Sequence, residues 1–365
     1  MRLLVAGGGT GGHLYPGIAI AEEVVRRGGG EVLFVGTSRG IETRAVPAAG
    51  YALETLQVSG LKRVGLAGTL RSLVRLPLAL LRSFLILRRF RPAVVVGVGG
   101  YASGPMVLAA ALAGYPTAIQ EQNSVPGITN RVLGKIVKVV FIAFEDAARF
   151  FPARKLERLG NPVRARIVAA LEGAGVAPPA ERLRILVVGG SQGARAVSEL
   201  VVAAAPLLAE SGVEYSLVHQ TGAADLERMR ERYQALGLGE RVTVTAFIDD
   251  MATAYAQADV VVARAGALTL AELAIAGKPA ILLPLPTAAD DHQSKNAARF
   301  AAAGAAVVLD QRQIRPADLA AALGDLGRER GRREAMSAAM RALARPRAAQ
   351  AIVDRLESLA RGPGQ

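Results

Sequence analysis

The chain opens on Leu3-Leu4-Val5-Ala6, followed at once by Gly7-Gly8-Gly9-Thr10-Gly11-Gly12-His13. A short aliphatic run without polar alternation is the pattern of a strand buried on both faces of a parallel sheet. Five glycines in the next six positions let the backbone turn tightly against whatever lies beyond the strand's carboxyl end. From Tyr15 to Arg27 the apolar residues Ile18, Ala21, Val24 and Val25 then recur at helical spacing. The loop is therefore expected at a strand-to-helix junction, where free N–H groups and the helix dipole favour an anion. A tight packing turn is the plainer alternative.

The type of anion site is narrowed by what is missing. Gly7-x-Gly9-x-x-Gly12 satisfies the dinucleotide pattern, but the next strand, Val32 to Val35, ends in Gly36-Thr37-Ser38, with no acidic residue for a ribose diol. A P-loop fails as well, because His13 stands where its lysine would be. The loop is expected to hold a polar or anionic group beside an imidazole. His13 is one of three histidines, and its near-neutral titration suits catalysis or ligand contact.

Downstream, the parallel-sheet rhythm continues. The segment from Pro92 to Gln120 carries no charge, yet its punctuation excludes a membrane span: a strand from Ala93 to Val98, a second glycine loop from Gly99 to Pro105, a helix from Met106 to Ala113 and a strand from Thr117 to Gln120. Glu121-Gln122-Asn123-Ser124 follows, a polar cluster suited to sugar hydroxyls or to capping the helix from Ile128. Val139 to Ile142 reads as a further strand, and Gly160-Asn161-Pro162-Val163-Arg164 as the turn that ends this half. A linker with Gly173, Gly175, Pro178 and Pro179 leads to Arg184-Ile185-Leu186-Val187-Val188-Gly189-Gly190-Ser191-Gln192-Gly193-Ala194, which repeats the opening design. The chain is thus expected to fold as two Rossmann-like α/β halves, with an anion-binding loop on each wall of a cleft.

In the second half, Val260-Val261-Val262-Ala263 runs into Arg264-Ala265-Gly266-Ala267-Leu268-Thr269. A buried arginine at a strand end needs an anionic or hydrogen-bonding partner. Thr269-x-x-Glu272 could be only a capping box. Asp249-Asp250 and Asp290-Asp291 are adjacent pairs, read as turn and helix-start residues; with no Asp-x-Asp element at a strand end, no metal is expected.

Composition bears on compartment and surface. The chain has 365 residues, 51% of them hydrophobic, enough for two domains with proper cores. It has no cysteine, which excludes disulfides and thiolate chemistry and fits a reducing cytoplasm. The amino terminus reads as a strand and not as a signal peptide, because glycines interrupt it within a few residues. The net charge is +13, and no acidic residue lies between Glu54 and Glu121. Within that interval, residues 62–91 interleave Lys62, Arg63, Arg71, Arg75, Arg82, Arg88, Arg89 and Arg91 with leucines and Phe84. Arginines interrupt this segment too often for it to span a bilayer, but it can lie at the interface of an anionic leaflet. A core-facing helix with a solvated basic face is the alternative, and the scarcity of aromatics disfavours nucleic acid.

The motifs in series carry a resemblance. Gly9-Thr10-Gly11-Gly12-His13, Gly99-Gly100-Tyr101-x-Ser103-Gly104-Pro105, Glu121-Gln122-Asn123, Gly160-Asn161-Pro162-Val163-Arg164, Gly189-Gly190-Ser191-Gln192-Gly193-Ala194, Arg264-x-Gly266-Ala267-x-Thr269-x-x-Glu272 and His292-Gln293-x-x-Asn296-Ala297 together resemble the MurG family. These are bacterial transferases that complete lipid II. The resemblance implies the GT-B fold, divided into an acceptor-binding, membrane-associating domain over 1–163 and a donor-binding domain over 164–345. A terminal helix at about 346–362 would pack back on the first domain.

The resemblance further implies inverting transfer of N-acetylglucosamine from UDP-N-acetylglucosamine to the 4-hydroxyl of the muramoyl sugar of a polyprenyl-diphosphate-linked muramoyl pentapeptide, without a cofactor. The enzyme would sit peripherally on the cytoplasmic face of the cell membrane. His13 is the candidate base and Glu121 the second. The donor would meet Thr10, Gly11, Gly12, His13, Asn123, Arg164, Ser191, Gln192, Ile248, Arg264, Ala267, Leu268, Thr269, Glu272 and Gln293. The acceptor would meet Gly9, Thr10, Gly11, Gly12, Tyr101 and Ser103. A sugar-nucleotide 2-epimerase of similar fold is the alternative; it would need no lipid acceptor. Only the patch for membrane contact departs from the family, carrying fewer aromatics than is usual there.

Overall fold

The computed structural model describes residues 1–58, 66–173, 181–189 and 194–362, with residues 66–75 described as backbone only. The described chain divides into two compact units, Met1–Ala165 with Arg345–Gln365, and Arg166–Ala344.

The first unit is built on seven parallel strands: β1 (Arg2–Gly7), β2 (Glu31–Thr37), β3 (Ala52–Leu56), β4 (Val94–Gly99), β5 (Thr117–Glu121), β6 (Val139–Ile142) and β7 (Leu156–Arg158). Their order is β3-β2-β1-β4-β5-β6-β7, so the winding reverses between β1 and β4. Ligands of open α/β sheets bind outside the carboxyl ends of the strands at such a reversal. Both glycine loops of this unit lie there, one after β1 and one after β4.

Alternation along β1 feeds both faces of the sheet. Leu3 and Val5 join a core with Leu14 and Ile18 of the helix Gly11–Arg26, whereas Leu4 and Ala6 join another with Ile86 and Leu87 of the helix Leu66–Phe90. The helix Ala348–Arg361 belongs to this unit, where Ile352, Val353 and Leu356 are fully buried in the first of these cores. Each such side chain contributes about 1.5–3 kcal/mol of transfer free energy. Arg27 ties the same helix down, donating to Asp354 at 2.6 Å and to the Gln350 carbonyl at 3.1 Å.

The second unit repeats the plan with six parallel strands: β8 (Leu183–Val188), β9 (Tyr215–Gln220), β10 (Val242–Thr245), β11 (Val260–Ala263), β12 (Ala280–Leu282) and β13 (Ala306–Val308). The order β10-β9-β8-β11-β12-β13 places its reversal between β8 and β11. The glycine-rich stretch from Gly189 and the Arg264 turn follow these two strands in sequence. Gly190, Ser191, Gln192 and Gly193 lie outside the described residues, as do the linker from 174 to 180 and residues 62–65 of the basic segment.

Two sequence expectations shift in register. The first helix starts at Gly11, not Tyr15, so His13 stands in its first turn and not in the loop. Glycine's poor helix propensity hides this start. The helix after the second glycine loop likewise starts at Ser103, ahead of the expected Met106.

Candidate functional site

At the reversal in the first unit the two glycine loops interlock. Gly7, Gly8 and Gly9 all have positive φ, as do Gly99 and Gly100. The Gly8 N–H donates to the Gly99 carbonyl at 3.3 Å, and a methyl group added at Gly7 or Gly100 would overlap the backbone of the other loop. Close backbone approach therefore accounts for much of the glycine density. A methyl at Gly99 would lie 2.7 Å from Nδ1 of His13, so the imidazole rests on the Gly99 backbone.

The His13 ring is held in one tautomer. Its Nδ1 lies 3.0 Å from Oε1 of Gln122. The Gln122 amide nitrogen donates to the Val98 carbonyl at 2.9 Å and to the Gln120 carbonyl at 3.2 Å, acceptors that require the NH₂ end of the amide. The oxygen must then face His13, which puts the ring proton on Nδ1 and leaves Nε2 with the basic lone pair. Desolvation lowers the His13 pKa from its ordinary value, against the hydrogen bonds of Gln122 and Val98, so the ring is neutral at pH 7. Sequence motifs do not single out the pairing with Gln122, although Gln122 lies inside the Glu121-Gln122-Asn123 motif.

Glu121 is placed differently. Its carboxylate is buried, accepting from the Asn123 N–H and from Asn130 Nδ2, both at 2.9 Å. Burial raises its pKa in spite of these donors. The arrangement suits holding the Gln122-Asn123 turn better than meeting a substrate hydroxyl. Asn123 is turned toward the same carboxylate. Thr10 is the exposed N-cap of the first helix, with Gly11 and Gly12 as its first residues. Tyr101 is exposed, whereas Ser103 is fully buried with its hydroxyl against Gly97 and so is not presented to an acceptor. Arg164 stacks its guanidinium over the Tyr15 ring at 4.8 Å.

In the second unit, Arg264 follows β11 and donates only to the carbonyls of Leu283, at 2.9 Å, and Pro284, at 3.3 Å, with no carboxylate partner among the described residues. Desolvation lowers its pKa, the mark of a cation short of compensation. Gly266 caps the helix Ala267–Ala276, so Ala267, Leu268 and Thr269 form its first turn and the capping-box alternative for Glu272 falls away. The Glu272 carboxylate accepts from the Tyr255 hydroxyl at 3.0 Å. Ile248 sits in the loop between β10 and the helix Met251–Gln257, which Asp250 caps by accepting from the Thr253 N–H. Gln293 opens the next site helix, His292–Ala302, and its Oε1 accepts from the Leu285 N–H. Asp290 and Asp291 form the turn before it, both at positive φ. His219 is a core residue, with one nitrogen 2.9 Å from the Tyr233 hydroxyl, the other 3.2 Å from Ser198, and a pKa lowered by burial to about 4.

Two Rossmann-like units, each of parallel strands reversing their winding once, are the plan of the GT-B class of glycosyltransferases. Residues 3–142 match the glycosyltransferase family 28 N-terminal domain, and residues 184–352 match the family 28 C-terminal domain. A protein of Anaeromyxobacter dehalogenans strain 2CP-C is 51% identical over 97% of this chain and 92% of its own length. Its name is UDP-N-acetylglucosamine--N-acetylmuramyl-(pentapeptide) pyrophosphoryl-undecaprenol N-acetylglucosamine transferase. A protein of the same name from Nitratidesulfovibrio vulgaris is 46% identical over 100% of this chain and 98% of its own. The crystal structure of MurG from Acinetobacter baumannii superposes with a TM-score of 0.79 at 32% identity, covering 98% of this chain and 99% of that one. The chain belongs to the MurG family of glycosyltransferases. Likeness to the UDP-GlcNAc 2-epimerase of Neisseria meningitidis, with a TM-score of 0.70 at 14% identity, is one of fold alone.

Proposed function

We propose that this chain transfers N-acetylglucosamine from UDP-N-acetylglucosamine to the 4-hydroxyl of the muramoyl sugar of lipid I, giving lipid II and UDP. The observation that carries this reading is identity of 51% across nearly the full length of a relative named for that transfer. In the mechanism, Nε2 of His13 takes the proton of the acceptor hydroxyl as its oxygen attacks C1 of the sugar from the face opposite the diphosphate. The bond from C1 to the β-phosphate oxygen breaks, UDP departs, and the configuration at C1 inverts.

Charge that develops on the departing diphosphate requires prepositioned donors. Arg264 and the amides of Ala267, Leu268 and Thr269 at the helix start supply them, with Ser191 and Gln192 joining in by family resemblance. Glu272, oriented by Tyr255, accepts from the ribose diol. Ile248 offers its backbone to uracil, Arg164 assists, and Gln293 and Asn123 read sugar hydroxyls. The acceptor diphosphate meets Gly11 and Gly12, where helix N–H groups are available.

Membrane attachment belongs to the same reading. No helix among the described residues is long and apolar enough to cross a membrane. The helix Leu66–Phe90 leaves Leu78, Leu81 and Leu85 about 60% exposed, alongside Arg82, Arg88 and Arg89. An apolar ridge flanked by guanidinium groups suits the interface of an anionic leaflet and supports the reading of a chain attached peripherally at the cytoplasmic face. Replacing Arg75, Arg82 and Arg88 by Glu is expected to weaken binding to anionic vesicles in a sedimentation assay by about 1 kcal/mol or more per residue.

The deciding experiment supplies labelled UDP-N-acetylglucosamine with and without a lipid I analogue and scores labelled glycolipid. Acceptor-dependent labelling supports the transferase. Donor consumption without acceptor would favour the epimerase reading instead.

A further inference from the structure

The glycine loop of the first unit holds an anion that is part of the protein. Glu42 opens the helix Glu42–Ala48 and is fully buried. One carboxylate oxygen accepts the Gly9 N–H at 2.8 Å, while the other accepts the Thr37 N–H at 2.7 Å and the Thr37 hydroxyl at 2.8 Å. A methyl group at Gly8, Gly36 or Gly40 would overlap this carboxyl group, so a glycine in the loop after β1, one near the end of β2 and one in the turn before the Glu42 helix make room for a single side chain. Burial pushes the Glu42 pKa up, but the Gly9 and Thr37 donors outweigh it and hold the group below the ordinary carboxylate range. The carboxylate is therefore ionised at neutral pH, and its hydrogen bonds are the strong charge-assisted kind.

We propose that Glu42 is a positioning residue for the transfer step, fixing the Gly7–Gly9 backbone, and through it the His13 imidazole, before substrate arrives. The path is contiguous. Glu42 holds Gly9, Gly8 donates to the Gly99 carbonyl, and Gly99 carries the His13 ring. The first helix begins two residues beyond Gly9, so the same clamp sets where the turn bearing His13 starts. A second consequence concerns the acceptor. Since the Gly9 N–H is already spent on an internal carboxylate, a diphosphate is repelled from that side of the loop and directed to the Gly11 and Gly12 amides. This inference rests on His13 as the base.

The test compares the full-length chain with its Glu42→Gln variant. Amide exchange by NMR reads the clamp directly, and transfer kinetics read its effect. Exchange at Gly9 and Thr37 is expected to quicken at least about tenfold, because an amide side chain offers one acceptor oxygen where the carboxylate offers two. Misplacement of the imidazole is expected to lower kcat by about tenfold or more, with KM for the donor and UDP affinity kept within about twofold. Thr37→Val removes only the hydroxyl donor and keeps the charge; a smaller fall in kcat, of about two- to fivefold, is expected, and this variant decides the matter if Glu42→Gln does not fold. Unchanged kcat in a folded Glu42→Gln protein overturns the proposal. So does a parallel loss of kcat and UDP affinity, the signature of general destabilisation. If the wild-type chain shows no acceptor-dependent transfer, the functional reading fails on its own, and the exchange rates alone then decide the clamp.

Discussion

The loop after β1 and the turn after β11 each lie where the sheet of their own unit reverses its winding, yet their charges are arranged oppositely. In the first, a buried carboxylate occupies the glycine loop and satisfies the Gly9 N–H from within. In the second, a guanidinium donates, among the described residues, to two carbonyls and to no carboxylate, beside the start of a ten-residue helix. A loop that already contains its anion is rigid and little disposed to collect another. A desolvated cation at a helix start is disposed to do so. On the proposed mechanism the difference matches a proton-accepting role for the first unit and a diphosphate-holding role for the second; in sequence the first reads as a glycine loop for an anion and the second as an arginine in need of a partner.

The strongest test of this division is His13→Ala. Loss of the base is expected to lower turnover by about a hundredfold or more, with UDP affinity nearly unchanged by calorimetry. Retained turnover would dissolve the comparison. Arg264→Ala should do the converse, weakening UDP binding by about tenfold or more through loss of a charge-assisted contact to phosphate. If UDP affinity is indifferent to Arg264, the second unit is not the electrostatic site described here.

Gln122→Glu sharpens the first half of the comparison through pH. The His13 pKa lies below its ordinary value, so the neutral base persists as the medium is acidified past pH 6.5, and kcat/KM should fall only as pH drops through the lowered pKa. A carboxylate in place of the Gln122 amide favours the imidazolium and raises that pKa. The acid limb should accordingly move to higher pH, with about tenfold less activity near pH 6. An unmoved limb would mean that some other group titrates. The smallest effect is expected from Tyr255→Phe, which removes one hydrogen bond to Glu272. UDP affinity should weaken by about five- to tenfold, and affinity for uridine should follow it, since the ribose is the group concerned.

Much of this protein was legible from local pattern. The aliphatic runs of β1, β4, β6, β8 and β11 were apparent because a strand buried on both faces must be continuously apolar. The glycine density marked both loops of the first unit, and the motif series gave the family. Less was legible where propensity misleads. Glycines concealed the true helix start at Gly11, so His13 looked like a loop residue. Ser103 resembled an acceptor contact, but its hydroxyl is buried against Gly97.

The sequence by itself determined two parallel α/β units, the family, and the kinds of side chain at each strand end, because these follow from residue type and short-range spacing. Tertiary structure alone decided which glycines lie against the facing loop and which make room for Glu42, which tautomer His13 adopts, and whether Glu272 caps a helix or takes an orienting bond from Tyr255. The physical reason is common to all three. Each depends on a hydrogen bond between segments that folding alone brings together, and such a bond leaves no periodicity in the chain.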